Sequence, residues 1–438
     1  MNQATYVNHH CPRCGGDVVF DQEATGTRCR YCGASLIVLG AHSSWLGFLL
    51  KPGVAVSDTA HEVTRIAMKN GWKPPLLRSV IPFYFPFYRT TGHAIKWVRG
   101  EKPDPTNHPG MVEQVVTRCV DIMRPAHVDL SPGLFSPGFR AQSLNLFLAT
   151  RNNADKVPFL PIQKTRAEHD EDMEEDFFDG MPAPGIRVRE ELPFRLWVRN
   201  SILFFPLYLV EVREGSRIRL LLIDAVGGSL IRQIGHEEME KLLDNLDLVN
   251  CRPPGEKRLK LAPLICPECA GDLTSDPMSY VRFCQACGRG WEPLGGRLRE
   301  RECLWAFDSA RGIDPSVIFL PFWRKEKGGK SLHIPAFRVR SPKLLYNLSV
   351  RYFDAKFPAQ TIPYECRLRI RSLPADLPPE GADEMADVVT GTGARPEFQG
   401  KGASRAIVLV PFSRMGPDLV EPFHGLAVPI SSLGAEIP

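Results

Sequence analysis

No run of apolar residues in this 438-residue chain is long enough to cross a bilayer. The longest run, from Ile202 to Val210, is interrupted by Pro206 and reaches only half of the roughly 20 residues that a membrane-spanning helix needs. The first ten residues are polar and lack the apolar core of a signal peptide. We therefore expect a protein without a membrane span that works in the cytoplasm, where thiols stay reduced.

The sequence also lacks the motifs of the common enzyme classes. It has no recognisable nucleophile and base arrangement, phosphate loop, zincin helix or dinucleotide fingerprint, and its 11 histidines are scattered. Cys119 lies on an apolar stripe, and Cys303 and Cys366 lie in strand-like segments without a nearby histidine. Both patterns are typical of buried thiols. The prediction is a protein that is not an enzyme.

What the sequence does have is a pair of cysteine groups with identical spacing. Each group reads CxxC, fourteen intervening residues, CxxC. A CxxC turn places two thiolates on one side of a tight loop, and two such turns can close a tetrahedral four-sulfur shell around Zn²⁺. The predicted metal ligands are Cys11, Cys14, Cys29 and Cys32 in the first group, and Cys266, Cys269, Cys284 and Cys287 in the second.

The residues after the second cysteine of each pair support these tight turns. Gly15, Gly33 and Gly288 occupy this position, where the backbone often needs a positive φ, and only Ala270 departs from the pattern. The four segments, CPRCGG with CRYCG and CPECAG with CQACG, resemble the zinc-ribbon (rubredoxin-like knuckle) family. The resemblance implies one structural Zn²⁺ per ribbon, in a family that serves transcription, translation, scaffold and accessory proteins alike. Iron, as in true rubredoxins, is the alternative metal.

The ribbons begin a longer repeat. Downstream of each ribbon, an apolar run ends in a proline-aromatic step, at Phe85–Arg89 in the first half and at Leu320–Arg324 in the second. A later pair, Leu203–Tyr208 and Val408–Phe412, follows in the same order. These matches predict a tandem duplication of a zinc ribbon followed by a β-rich module. The predicted fold class is mainly β with a few helices (α+β).

The predicted organisation has five parts. They are a first ribbon at 1–42, a β-rich module at 43–250 with an acidic insertion at 166–185, a linker at 251–262, a second ribbon at 263–298 and a second β-rich module at 299–438. Helices are predicted at Ser57–Asn70, Met111–Met123 and Gly235–Leu248. Hairpins are predicted for Ile202–Val212 with Arg217–Ile223, and for Val317–Lys325 with Ser331–Val339.

Charge is distributed unevenly along the chain. The run Glu168–Asp179 has eight carboxylates in twelve residues, which predicts a mobile loop. The alternatives are that it folds back on the basic surface of the second half, or that it is a docking peptide that includes Phe177 and Phe178. The glycine-rich tract Val388–Ser404 is also predicted to be a flexible loop. The stretch Cys251–Arg371 has a charge balance of +10. Its arginines alternate with apolar residues at Arg338 and Arg340 and at Arg367, Arg369 and Arg371.

Period-two spacing places such arginines on one face of a strand, which is either a solvated face or a surface for an acidic partner. The favoured function is therefore an interaction or scaffold protein that joins protein partners in a larger cytoplasmic assembly. One alternative is nucleic-acid binding through the ribbons and the basic stretch 251–371. The other is rubredoxin-like electron transfer, which requires iron.

Overall fold

The computed structural model describes residues 6–21, 24–39, 45–102, 110–128, 146–149, 156–181, 185–246, 253, 260–271, 273, 279–284, 286–294, 297–307, 316–327, 330–360, 371–391 and 404–434. Within these ranges most residues lie in strands and the helices are short, which confirms the predicted mainly β fold class. None of the described helices has the length and apolarity of a membrane span.

The strands of the first half form the first ribbon and a large sheet. They are β1 Tyr6–His10, β2 Asp17–Asp21, β3 Gly26–Arg28, β4 Ser35–Leu39, β5 Leu46–Leu50, β6 Leu76–Lys102, β7 Gly110–Pro125, β8 Leu146–Leu148, β9 Arg187–Glu214, β10 Arg217–Asp224 and β11 Leu230–Ile234. Nine of them form one sheet of order β11-β10-β9-β5-β8-β1-β2, in which β6 pairs with β9 and β7 pairs with β6.

The second half has shorter strands. They are β12 Lys260–Pro263, β13 Arg282–Phe283, β14 Gly290–Leu294, β15 Arg297–Arg301, β16 Cys303–Ala306, β17 Ile318–Lys327, β18 Lys330–Pro335, β19 Ala359–Gln360, β20 Arg371–Ser372, β21 Ser404–Met415, β22 Asp418–Val420 and β23 Ala427–Pro429. Eight of these form a sheet around the order β18-β17-β21-β16-β19, while β13-β14-β15 and β12-β4-β3 form two small sheets. The helices are α1 Thr59–Lys69, α2 Arg166–Phe178, α3 His236–Asn245, α4 Pro342–Arg351 and α5 Pro379–Gly391.

The two halves repeat one strand arrangement. In the first half, β9 is parallel to β5 and antiparallel to β6 and β10; in the second half, β21 is parallel to β16 and antiparallel to β17 and β22. The register is also the same, because Pro86 lies opposite Phe204 and Pro321 lies opposite Leu409. These are equivalent positions in the sequence repeat. Both predicted hairpins are present, as β9–β10 and β17–β18.

The long strands β6 and β9 carry the first half into the core of the second. Alternate residues from 83 to 87 of β6 and from 203 to 209 of β9 pack in one cluster with the first ribbon. Farther along the same strands, Ile95 and Trp97 of β6 and Leu196 of β9 are buried in another cluster with Phe322 and Trp323 of β17. Burying this much aromatic surface is a large favourable contribution to folding. The core of the second half is therefore built from both halves of the chain. Phe87, Tyr88, Phe322 and Trp323 are all buried, as expected for core residues.

Two of the three predicted helices are confirmed, as α1 and α3, but the helix at Met111–Met123 is wrong. This segment forms β7, which pairs with β6 along its whole length. Its valines at 112, 115, 116 and 120 have helical spacing, but β-branched residues also favour strands, and the cross-strand partners decide between the two. Cys119 is correspondingly exposed and not a core thiol.

The prediction of a mobile loop at Glu168–Asp179 is also wrong, because these residues form helix α2. Thr165 and Glu168 make a capping box: the Thr165 N–H donates to Glu168 Oε2 at 2.6 Å and the Glu168 N–H donates to Thr165 Oγ1 at 3.3 Å. His169, Met173 and Phe177, spaced four residues apart, are buried against the sheet. Phe177 is therefore inaccessible to a partner in the folded protein, and Phe178 is half-buried.

Two predicted connecting segments overlap regular secondary structure. The last residues of the predicted linker 251–262 belong to β12, which pairs with β4 of the first ribbon. The start of the predicted loop Val388–Ser404 belongs to α5, where Val388 and Val389 are buried. Residues 392–403 lie outside the described residues. The first segment is structured by its pairing with β4, and the second by burial of its valines in the core of the second half. Both contacts are made with residues distant in the sequence.

Candidate metal centres

All four CxxC turns have the same backbone geometry. In each turn the N–H of the first cysteine donates to the carbonyl five residues later, and the N–H four residues later donates back to the cysteine carbonyl, at 2.8–2.9 Å. The residue that closes the turn has a positive φ, with values of 74° at Gly15, 70° at Gly33, 58° at Ala270 and 69° at Gly288. Ala270 thus adopts the same left-handed conformation without the freedom of glycine.

These turns bring the sulfurs of each group together. All four sulfurs of a group lie within 4.8 Å of one another. Sγ–Sγ distances are 3.8 Å for Cys11–Cys32 and 3.7 Å for Cys14–Cys29 in the first group. In the second group they are 3.6 Å for Cys266–Cys287 and 3.5 Å for Cys269–Cys284. A tetrahedral ion with metal–sulfur bonds of about 2.3 Å has sulfurs about 3.8 Å apart, so each group can hold a metal ion.

The surrounding backbone favours thiolates in both groups. Backbone N–H groups of Cys32 and Tyr31 hydrogen-bond to the sulfur of Cys29 and lower its pKa to about 6. The N–H of Gly271 lowers the pKa of Cys269 in the same way. Burial raises the pKa of Cys287, because a charged sulfur loses its hydration there. A bound cation offsets that cost, so the donor set fits a divalent metal.

Comparisons with protein-family models, curated proteins and solved structures find no match for this chain. The likeness to zinc ribbons therefore depends on the cysteine spacing and on the geometry of the four turns.

The two candidate centres belong to one packed unit, which the sequence did not indicate. Strand β12, which leads into the second ribbon, pairs with β4 of the first, and the Leu264 N–H donates to the Ser35 carbonyl at 3.0 Å. Ile37 of β4 is buried in the same cluster as Cys266, Cys284 and Cys287 of the second ribbon.

A buried hydrogen-bond chain also joins the ribbons. Thr25 Oγ1 donates to the Ser279 carbonyl at 2.6 Å and accepts from Arg282 Nη2 at 2.6 Å. Thr25, Ser279 and Arg282 are all completely buried. Breaking one partner of such a chain leaves the other groups unsatisfied, so the two ribbons depend on each other for their packing.

The predicted arginine surface is only partly described. Arg338 and Arg340 are exposed on either side of the buried Val339, and Arg340 Nε donates to the Leu433 carbonyl at 3.0 Å. Arg371 is exposed in β20. Arg367 and Arg369 lie outside the described residues. The alternation at Arg338 and Arg340 is therefore present, while a single face that joins all five arginines stays a prediction.

The remaining cysteines differ in their surroundings. Cys303 is half-buried with its sulfur turned inward, and burial raises the pKa of its thiol to about 12. It is a poor nucleophile, in agreement with the expected buried thiol. Cys366 lies outside the described residues. Cys119 is exposed, with its sulfur 3.7 Å from His93 Nδ1.

Proposed function

We propose that this chain is a non-enzymatic zinc-binding interaction protein, a subunit or accessory factor of a larger cytoplasmic assembly. The observation that carries the proposal is that each cysteine group offers four sulfurs around one position. A closed four-thiolate shell leaves no coordination site for water or substrate, so such an ion stabilises structure. In this proposal the ribbons connect the two halves rigidly, and the two halves together form the surface that partners bind.

Zinc is favoured over iron because Zn²⁺ is redox-inert and is the usual ion of closed four-sulfur structural sites. Metal analysis of the native protein tests this choice, and we expect two zinc ions per chain. Iron in either ribbon would instead support rubredoxin-like electron transfer. The variants Cys14→Ser and Cys269→Ser should each retain only one ion, because removing one ligand breaks the shell and the fold around it. Cys119→Ser is the matched control and should retain both.

Affinity purification from the native host tests the interaction role. The full-length protein should recover one or more partners in stoichiometric amounts, and Cys14→Ser and Cys269→Ser should recover less. The Cys119→Ser variant controls for loss of a thiol. A protein that stays free of partners and turns over a small molecule would contradict the proposal.

Nucleic-acid binding remains the second candidate because of one feature of the first ribbon. Tyr31 is 60% exposed at the tip of a CxxC turn, with the guanidinium of Arg30 4.9 Å above its ring and Arg13 exposed on the other turn. Exposed aromatic rings with arginines are typical of surfaces that stack on bases and contact phosphates. Retention on RNA or DNA at about 50 mM salt, lost in Tyr31→Ala but kept in Arg217→Ala, would support this role, because Arg217 is exposed but lies outside the ribbons and the basic stretch.

A further inference from the structure

A pocket lies where helix α5 of the second half meets α2 and β9 of the first half. It has a volume of about 350 Å³, which is within the range of small-ligand sites. Its lining includes Glu384 of α5, Asp170 and Glu171 of α2, and Asn200 of β9. The pocket therefore brings together side chains from both halves of the chain.

Glu384 has one oxygen that receives no hydrogen bond within the described part of the chain. This atom, Oε2, is buried, whereas the carboxyl as a whole does accept the backbone N–H of Arg195. A buried carboxylate oxygen without a donor is unfavourable. Burial also raises the pKa of Glu384 to about 7, because the carboxylate loses its hydration there. A cationic donor bound in the pocket can offset that loss.

The rest of the lining combines an apolar wall with further acidic groups. Met173 and Phe177 of α2 are buried and form the wall. Asp170 and Glu171, earlier in α2, are exposed and lie at the outer side of the pocket. With Glu384 they make three carboxyls against the guanidinium of Arg195 among the described lining residues. The pocket therefore favours a positively charged ligand.

The three carboxyls do not converge on one point. Among the described residues, only the two cysteine groups bring three or more metal-binding side chains within 4.8 Å of one another. Asp170, Glu171 and Glu384 therefore do not form a shell around a single metal ion. One buried and two exposed carboxyls, with an apolar wall beside them, instead match an alkyl chain that carries a positive charge at each end.

A bulge in β9 shapes the pocket. The register between β6 and β9 shifts at Thr91–His93, and Trp197 on the opposite strand has a φ of 53°. Such a bulge redirects side chains, and here Val198 and Asn200 both line the pocket. Thr90 Oγ1 donates to Asn200 Oδ1 at 2.6 Å and fixes this amide. Backbone geometry as well as side-chain packing therefore defines the shape of the pocket.

We propose that this pocket binds a linear aliphatic diamine or polyamine. One ammonium group donates to Oε2 of Glu384, the alkyl chain lies along Met173 and Phe177, and the second ammonium group contacts Asp170 and Glu171. Charge-assisted hydrogen bonds of this kind are about twice as strong as neutral ones. The proposal does not rest on the interaction role proposed above.

Calorimetric titration of putrescine into the full-length metal-loaded protein tests the inner contact. Glu384→Gln keeps the shape of the side chain and removes its charge, so it should weaken putrescine binding about tenfold. Asp179→Asn is the matched control, because Asp179 is exposed directly after the same acidic helix but does not line the pocket. This variant should bind putrescine as the wild type does.

A second variant tests the outer contact. Asp170→Asn combined with Glu171→Gln should weaken putrescine binding about fivefold. It should leave the binding of n-butylamine unchanged, because butylamine has the same alkyl chain with only one ammonium group. Both residues are exposed, so this variant tests the proposal even if thermal unfolding shows that Glu384→Gln does not fold.

Three results would overturn the proposal. The first is putrescine binding that is absent, or equally strong in the wild type and in Glu384→Gln, which would leave only general attraction to an acidic surface. The second is binding of Mg²⁺ that depends on Glu384, which would make a metal ion the ligand. The third is an Nα-acetyl-lysine amide that binds as tightly as putrescine, with no effect of the outer variant on either. That result would make a lysine side chain of a partner protein the occupant.

Discussion

Trp97 of the first half and Trp323 of the second are buried in the same hydrophobic cluster, each with 1% of its surface exposed. Trp97 lies on the long strand β6, which also contributes Phe85 and Phe87 to the core around the first ribbon. A single rigid strand therefore spans both cores. The two halves should consequently unfold together, although the sequence repeat predicts two separate copies of one unit.

The variant Trp97→Ala tests this shared core. Removing a fully buried tryptophan should lower the free energy of unfolding by about 3–5 kcal/mol. The strands of the second half should be destabilised as well as β6 itself. The measurement is chemical denaturation combined with hydrogen exchange of the amides in β17 and β21. Leu76→Ala is the control, because Leu76 lies on the same strand but is 60% exposed. Unchanged exchange in β17 and β21 would contradict the shared core.

The contact between the ribbons gives a second prediction. Ile37 belongs to the first ribbon but is buried among the cysteines of the second. Ile37→Ala should cost about 2–4 kcal/mol and should speed metal loss from the second group to a chelator. Val19→Ala is the control, because Val19 is 41% exposed in the same ribbon. The metal of each ribbon is assigned by comparing these rates with those of Cys14→Ser and Cys269→Ser. Metal loss confined to the first group would show that the ribbons are independent.

How much of this could be predicted from the sequence depended on how far apart the interacting residues lie. The metal-ligand groups and the hairpins involve residues that are close together in the chain, and the repeated strands are visible as matching segments, so the sequence predicts all three. The capping box at Thr165 and Glu168, and the four-residue spacing of His169, Met173 and Phe177, were also readable, but the high density of carboxylates obscured them.

The other differences could not be read locally. The valines of β7 fit a helix as well as a strand, and only the pairing with β6 selects the strand. The burial of Ile37 among the second ribbon's cysteines and of Trp97 beside Trp323 joins residues that are far apart in the chain. No pattern within either segment specifies such a contact, because a buried apolar residue has the same local signature whichever core it enters.

Ala270 gives a prediction about the turn that lacks glycine. Its φ of 58° is the left-handed conformation that costs an L-residue about 1–2 kcal/mol. Ala270→Gly should therefore stabilise the second ribbon by up to about 1 kcal/mol and slow its metal loss. The reciprocal change, Gly33→Ala in the first ribbon, should destabilise by a similar amount. Thermal unfolding of the metal-loaded proteins measures both, and an Ala270→Gly variant less stable than the wild type would refute the strain at this position.

His333 predicts a specific loss of stability in acid. It is only 2% exposed, with its ring 4.9 Å from that of Phe357, and burial lowers its pKa to about 4. The unfolded chain takes up this proton near pH 6.5, whereas the folded protein does so only near pH 4. The folded state therefore loses stability as the pH falls through this window, by about 3 kcal/mol in total.

Replacing the ring removes this linkage, so His333→Leu should show a shallower fall in unfolding free energy between pH 6.5 and pH 4 than the wild type. Metal release from the thiolates also destabilises the protein in acid, but it affects every variant equally. His61→Leu is the control, since His61 is exposed on α1 and its replacement should leave the acid profile unchanged. Identical profiles for His333→Leu and the wild type, measured by denaturant titration at each pH, would show that His333 does not stay neutral in the folded core.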